Sequence, residues 1–160
     1  MSNTSSKFIS RLTAILLGVA AVSIITLAKY GDFNPTARAG RDKLAHLSAS
    51  DVVSVRFDPT SDKSVIAKSL TITDREQLAA LVQALSPMTP FQPNHPGTSR
   101  AVVMRVTFKD REVGGELRGD GSTVRFYYMS DGDTGWVFGT YLVPRGSQVF
   151  DLIAQHVAAP

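Results

Sequence analysis

Residues 101–143 read AVVMRVTFKDREVGGELRGDGSTVRFYYMSDGDTGWVFGTYLV. In a strand, successive side chains point to opposite faces, so apolar residues at every second position mark a half-buried strand. Val102, Met104, Val106 and Phe108 keep that period, with Arg105, Thr107 and Lys109 between them. Lys109-Asp110-Arg111 turns the chain, and Glu112 to Arg118 makes a weaker strand because Gly114 and Gly115 bring no side chain to pack. Gly119-Asp120-Gly121-Ser122 is a hairpin signal, since Asp-Gly suits a left-handed two-residue turn. Thr123 to Met129 follows, then a turn through Ser130-Asp131-Gly132-Asp133, then a strand from Trp136 to Val143. Strands joined by tight turns imply an antiparallel sheet.

Upstream, Val53, Val55 and Phe57 alternate on one face of a strand over 52–57, which Pro59 ends. A second strand is expected from Val65 to Thr73, with Ile66, Leu70 and Ile72 on one face and Lys68 breaking it, as at a sheet edge. Thr73-Asp74-Arg75-Glu76 has the form of a capping box, with Thr73 as the cap. Leu78, Leu81, Val82 and Leu85 follow at helical spacing, until Ser86-Pro87 stops the helix. Downstream, Pro144-Arg145-Gly146 breaks the sheet, and Ser147 caps a last helix with Phe150, Ile153 and Val157 as its apolar stripe. The order β-β-α-β-β-β-β-α over residues 51–158 predicts an α+β domain, an antiparallel sheet of five to six strands with two helices on one face.

The N-terminal part is of a different kind. Residues 12–28, LTAILLGVAAVSIITLA, carry no charge and are bounded by Arg11 and Lys29. The run sits at the lower limit for a helix crossing a hydrocarbon core of about 30 Å. It predicts a transmembrane or signal-anchor helix after a short basic tail, residues 1–11. A cleaved signal peptide is the competing reading, with cleavage after Ala28 or after Ala37-Arg38-Ala39. Counting basic residues, two before the run and four after it through Lys43, would keep the domain in the cytoplasm. The short basic tail ahead of a first apolar run is the pattern of an export signal, and the domain is expected on the extracytoplasmic side of the inner membrane. Residues 29–50, with Gly31, Asn34, Pro35 and Gly40, read as a linker.

The net charge of +3 comes from this N-terminal part. Residues 1–43 hold six basic and two acidic side chains, whereas 44–160 hold eleven and twelve. A nucleic-acid binder carries its basic charge on the folded domain, so no nucleic-acid partner is expected. With no Cys, the chain has no disulfide, thiolate metal site or thiol nucleophile.

The motifs are weak. Asp131-Gly132-Asp133-Thr134-Gly135 opens like a calcium loop, but Gly135 and Leu142 stand where ligands are needed, so it reads as a turn. Arg118-Gly119-Asp120 spells an adhesion tripeptide that hairpin chemistry already explains. No Ser sits in a nucleophile elbow, and His46, His95 and His156 have no partner at a ligand spacing. No cofactor or metal is expected, nor an enzyme. Strand parity puts Arg105, Arg125 and Tyr127, with Arg118 and Tyr141, on the sheet face away from the helices, where Arg and Tyr serve as protein-binding anchors. Pro87, Pro90, Pro93 and Pro96 recur with the polyproline II period, so Pro90 and Pro93 offer a second docking surface unless the segment is simply a rigid crossover with Phe91 in the core. The functional expectation is a single-pass accessory or protein-binding domain, a subunit of a membrane complex, with the lipid bilayer and a protein as partners. An exported inhibitor or immunity-type protein released by signal cleavage is the alternative, and a small hydrolase with an unrecognised site is the third.

Overall fold

The computed structural model describes residues 13–23, 34–92, 94, 97–121, 123–129 and 137–158. It divides into two units, Met1–Arg38 and Ala39–Pro160. In the first, residues 13–23 form helix α1, exposed along its whole length. No helix among the described residues is long and apolar enough to cross a membrane. The expected transmembrane run is therefore helical over 13–23, while Leu12 and residues 24–28 lie outside the described residues.

The second unit is built on an antiparallel sheet of seven strands, β1 Val52–Asp58, β2 Leu70–Ile72, β3 Thr89–Pro90, β4 Arg100–Phe108, β5 Glu112–Asp120, β6 Thr123–Met129 and β7 Val137–Val143. Their order is β2-β1-β4-β5-β6-β7-β3. The meander β4 to β7 forms the centre, as its alternation predicts. The seventh strand is the two-residue β3, which pairs Thr89 with Leu142 and Pro90 with Tyr141 at the sheet's far edge.

Helices α2 (Pro35–Ala45), α3 (Arg75–Leu85) and α4 (Gly146–Ala158) complete the chain. One hydrophobic cluster joins Leu44 and Leu47 with Leu78, Leu81, Val82 and Leu85 of α3, Val149, Phe150 and Ile153 of α4, and Val102, Met104, Val106, Leu117, Phe126 and Tyr128 of the sheet. The helices thus cover one sheet face. Residues expected to be an irregular linker form α2 instead. Asn34 caps it, its Oδ1 accepting the N–H groups of Thr36 and Ala37, and Pro35 is tolerated because a first-turn N–H has no helical partner to lose. Gly40 lets α2 lie against Tyr128, whose hydroxyl stands where a Cβ would be.

Four local expectations change. A bulge between Val52 and Ser54 absorbs one residue of β1, so Val52 and Val55 are buried while Val53 is 44% exposed. The second strand is confined to Leu70–Ile72. The cap of α3 is Asp74, whose carboxylate accepts the N–H groups of Glu76 and Gln77, one position later than the capping box. In α4, which starts at Gly146, Val149 is buried and Val157 is exposed, so the inward stripe lies further toward the N-terminus than expected.

Candidate functional site

The face of the sheet away from the helices carries the polar side chains singled out above. In β5 and β6, Glu116 stands opposite Tyr127, and Arg118 opposite Arg125. Glu116 accepts from Arg118 Nε at 2.8 Å and Nη2 at 2.6 Å, and from the Thr60 hydroxyl at 3.1 Å. The Arg118 guanidinium also lies over the Tyr127 ring, 4.8 Å from its centroid. Arg125 donates through Nη2 to the carbonyl of Gly97 at 2.6 Å, and its buried Nε has no hydrogen-bond partner among the described residues.

The expected open surface is not what the structure holds. Arg125 is only 5% exposed, Tyr127 9% and Tyr141 4%. Two stretches of chain cover this face. One is the connection after β1, where Thr60 reaches Glu116 before residues 63–65 come to lie beside the start of β4, bridging to Ala101 through backbone hydrogen bonds. The other lies just ahead of β4, where Gly97 meets Arg125 before Ser99 joins the edge of the ladder at Gly119 O. Lys63 ties the two together by donating to the carbonyl of Thr98. Tyr141 is on the other face altogether, paired with Phe126 and inside the helix-side core. Burial raises the phenols of both Tyr128 and Tyr141 above their ordinary values, so they stay protonated.

A signal for this covering exists in the sequence. Ala101-Val102-Val103-Met104 is apolar without alternation, and Ala101 and Val103, on the outer face, are 1% and 3% exposed. A continuous apolar run marks a strand buried on both sides.

Arg105 remains at the surface in an ion-pair row. Its Nε lies 3.5 Å from Asp58 and its Nη1 3.8 Å from Glu112. Asp58 also receives Arg56 Nε at 2.8 Å and the Ser69 hydroxyl at 2.5 Å. Burial pushes the Asp58 carboxyl up, but the Ser69 and Arg56 hydrogen bonds and the charges of Arg56 and Arg105 outweigh it and hold the pKa below the usual value. Both Asp58 and Glu116 are thus engaged by several donors, which tie separate segments of the chain together.

Pro90 is exposed on β3, where an edge position spares the sheet its missing N–H. Phe91 donates its N–H to Thr140 O as the chain turns back across the sheet. Pro93, Pro96, His95, Trp136 and the Asp131–Gly135 turn lie outside the described residues. His46 faces Asp42 across one turn of α2, 3.5 Å away, both side chains well exposed. His156 bonds the Leu152 carbonyl through Nδ1 at 2.8 Å. Among the described residues no three His, Cys, Asp or Glu side chains group as metal ligands. The chain matches no family model, no curated protein and no solved structure.

Proposed function

We propose that this chain is a single-pass, membrane-anchored accessory domain that binds a protein partner on the extracytoplasmic side of the inner membrane and catalyses no reaction. The observation that carries the reading is the N-terminal helix. Ile15, Leu16, Leu17, Val19 and Val22 are each 59–66% exposed in it, and a contiguous apolar surface of this kind is covered in a working protein. The run 12–28 that contains it is uncharged, and as a helix seventeen residues reach roughly 25 Å, close to the hydrocarbon thickness.

Two further features support the orientation and the uncut state. The short basic tail with Lys7 and Arg11 ahead of a first apolar run is the pattern of an export signal, which favours that end in the cytoplasm. The possible cleavage position at Ala39 falls inside α2, so cutting there would split a helix that begins at Pro35.

Alkaline carbonate extraction followed by intact mass tests the anchor. The full-length chain is expected in the membrane pellet. A soluble mature chain beginning at Lys29 or Gly40 would overturn it in favour of an exported, inhibitor-type protein.

A further inference from the structure

The two edges of the sheet differ. At one, β3 presents Thr89 and Pro90, and a proline has no N–H to offer an incoming strand, a common way of closing an edge. At the other, β2 runs from Leu70 to Ile72, and the N–H and carbonyl of alternate residues point away from β1. β2 pairs with β1 on one side only. Among the described residues no other backbone hydrogen bond reaches it. Thr71 is exposed.

A cavity of about 250 Å³ adjoins this edge, lined by Ala67, Lys68, Ser69 and Leu70 ahead of and within β2 and by His156 and Val157 from the last turn of α4. Its walls are partly apolar, and Val157 is 56% exposed there. Lys68 is exposed and has no carboxylate partner among the described residues. An open strand edge, an apolar hole beside it and an unanswered cation are the three parts of a strand-addition site, in which backbone bonds supply affinity and pockets for alternate side chains supply specificity.

We propose that β2 accepts an extended segment of a partner protein. One apolar side chain of that segment fills the cavity between Leu70 and Val157, and an acidic residue beside it meets Lys68. The proposal rests on the protein-binding reading above and gives it a surface other than the buried Arg125–Tyr127 face.

The test uses the full-length chain in detergent micelles and the probe acetyl-Asp-Val-Thr-Val-Asp-amide, with a twin N-methylated at its central residues. Amide hydrogen exchange at the outward-facing N–H groups within Leu70–Ile72 is expected to slow with the probe. The twin, which cannot donate those backbone bonds, is expected to bind about tenfold more weakly, as is the probe to Lys68→Glu and Val157→Glu. Both substitutions lie at exposed positions, and a circular dichroism spectrum confirms their fold. No slowing at Leu70–Ile72, equal binding of the twin, or indifference to both substitutions overturns the proposal. Binding that maps elsewhere on Ala39–Pro160 overturns the edge and leaves the protein-binding reading standing. Release of the uncut chain by carbonate overturns the anchor without touching the edge.

Discussion

Arg125 carries its charge where water does not reach, with the carbonyl of Gly97 as its acceptor. A surface arginine is worth little to stability, usually within about ±0.5 kcal/mol on substitution. A buried one fills volume and ties down the chain above it, so Arg125→Ala is expected to cost about 1–3 kcal/mol in urea unfolding. A change within the surface range would mean that the covering segment stands off the sheet. Asp58 makes a different expectation. Its carboxyl titrates below the usual value in the folded chain, so the charged form favours folding. That contribution is complete above the unfolded pKa of about 4 and fades as pH falls through the folded value. The stability lost in Asp58→Asn is therefore expected at neutral pH and should shrink on acidification below about pH 4. A loss that stays constant with pH would contradict the assigned ion pairs. Parity along β6 was legible in the sequence, and it rightly set Arg125 and Tyr127 apart from Phe126. Their burial does not follow from that alternation, which says which way a side chain points and nothing about what crosses over it; its sign lies in a nearby strand, in the unbroken apolar run Ala101–Met104.

At the level of elements, the central meander and the α3 stripe follow from local pattern, and both are where expected. The misplacements come from features that shift register by one residue. The bulge in β1 moves Val53 from core to solvent, and no residue type marks it in advance. The start of α3 moves from Thr73 to Asp74 because both side chains can cap, and the backbone of Asp74 takes the extended conformation, at φ −63° and ψ 135°. Asp74→Ala is expected to lower stability by about 0.5–2 kcal/mol, while Thr73→Ala should change it by a few tenths. Thermal unfolding of the two variants decides between the caps, and the reverse ranking would restore the capping box. The short strand β3 was hidden by its composition, since Thr89-Pro90 reads as loop in isolation and becomes a strand only against β7.

For the whole molecule, α2 shortens the expected linker: six residues, 29–34, lie between the uncharged run 12–28 and the start of α2 at Pro35. The central claim is that the chain crosses the membrane once with its domain outside, and the absence of any native Cys allows it to be tested by labelling at single sites. Ser5→Cys lies in the basic tail and Ser61→Cys on an exposed turn of the folded unit. Intact spheroplasts treated with a membrane-impermeant maleimide are expected to label Ser61→Cys at once and Ser5→Cys only after permeabilisation. Labelling of both positions without permeabilisation, or of Ser5→Cys alone, would contradict that topology.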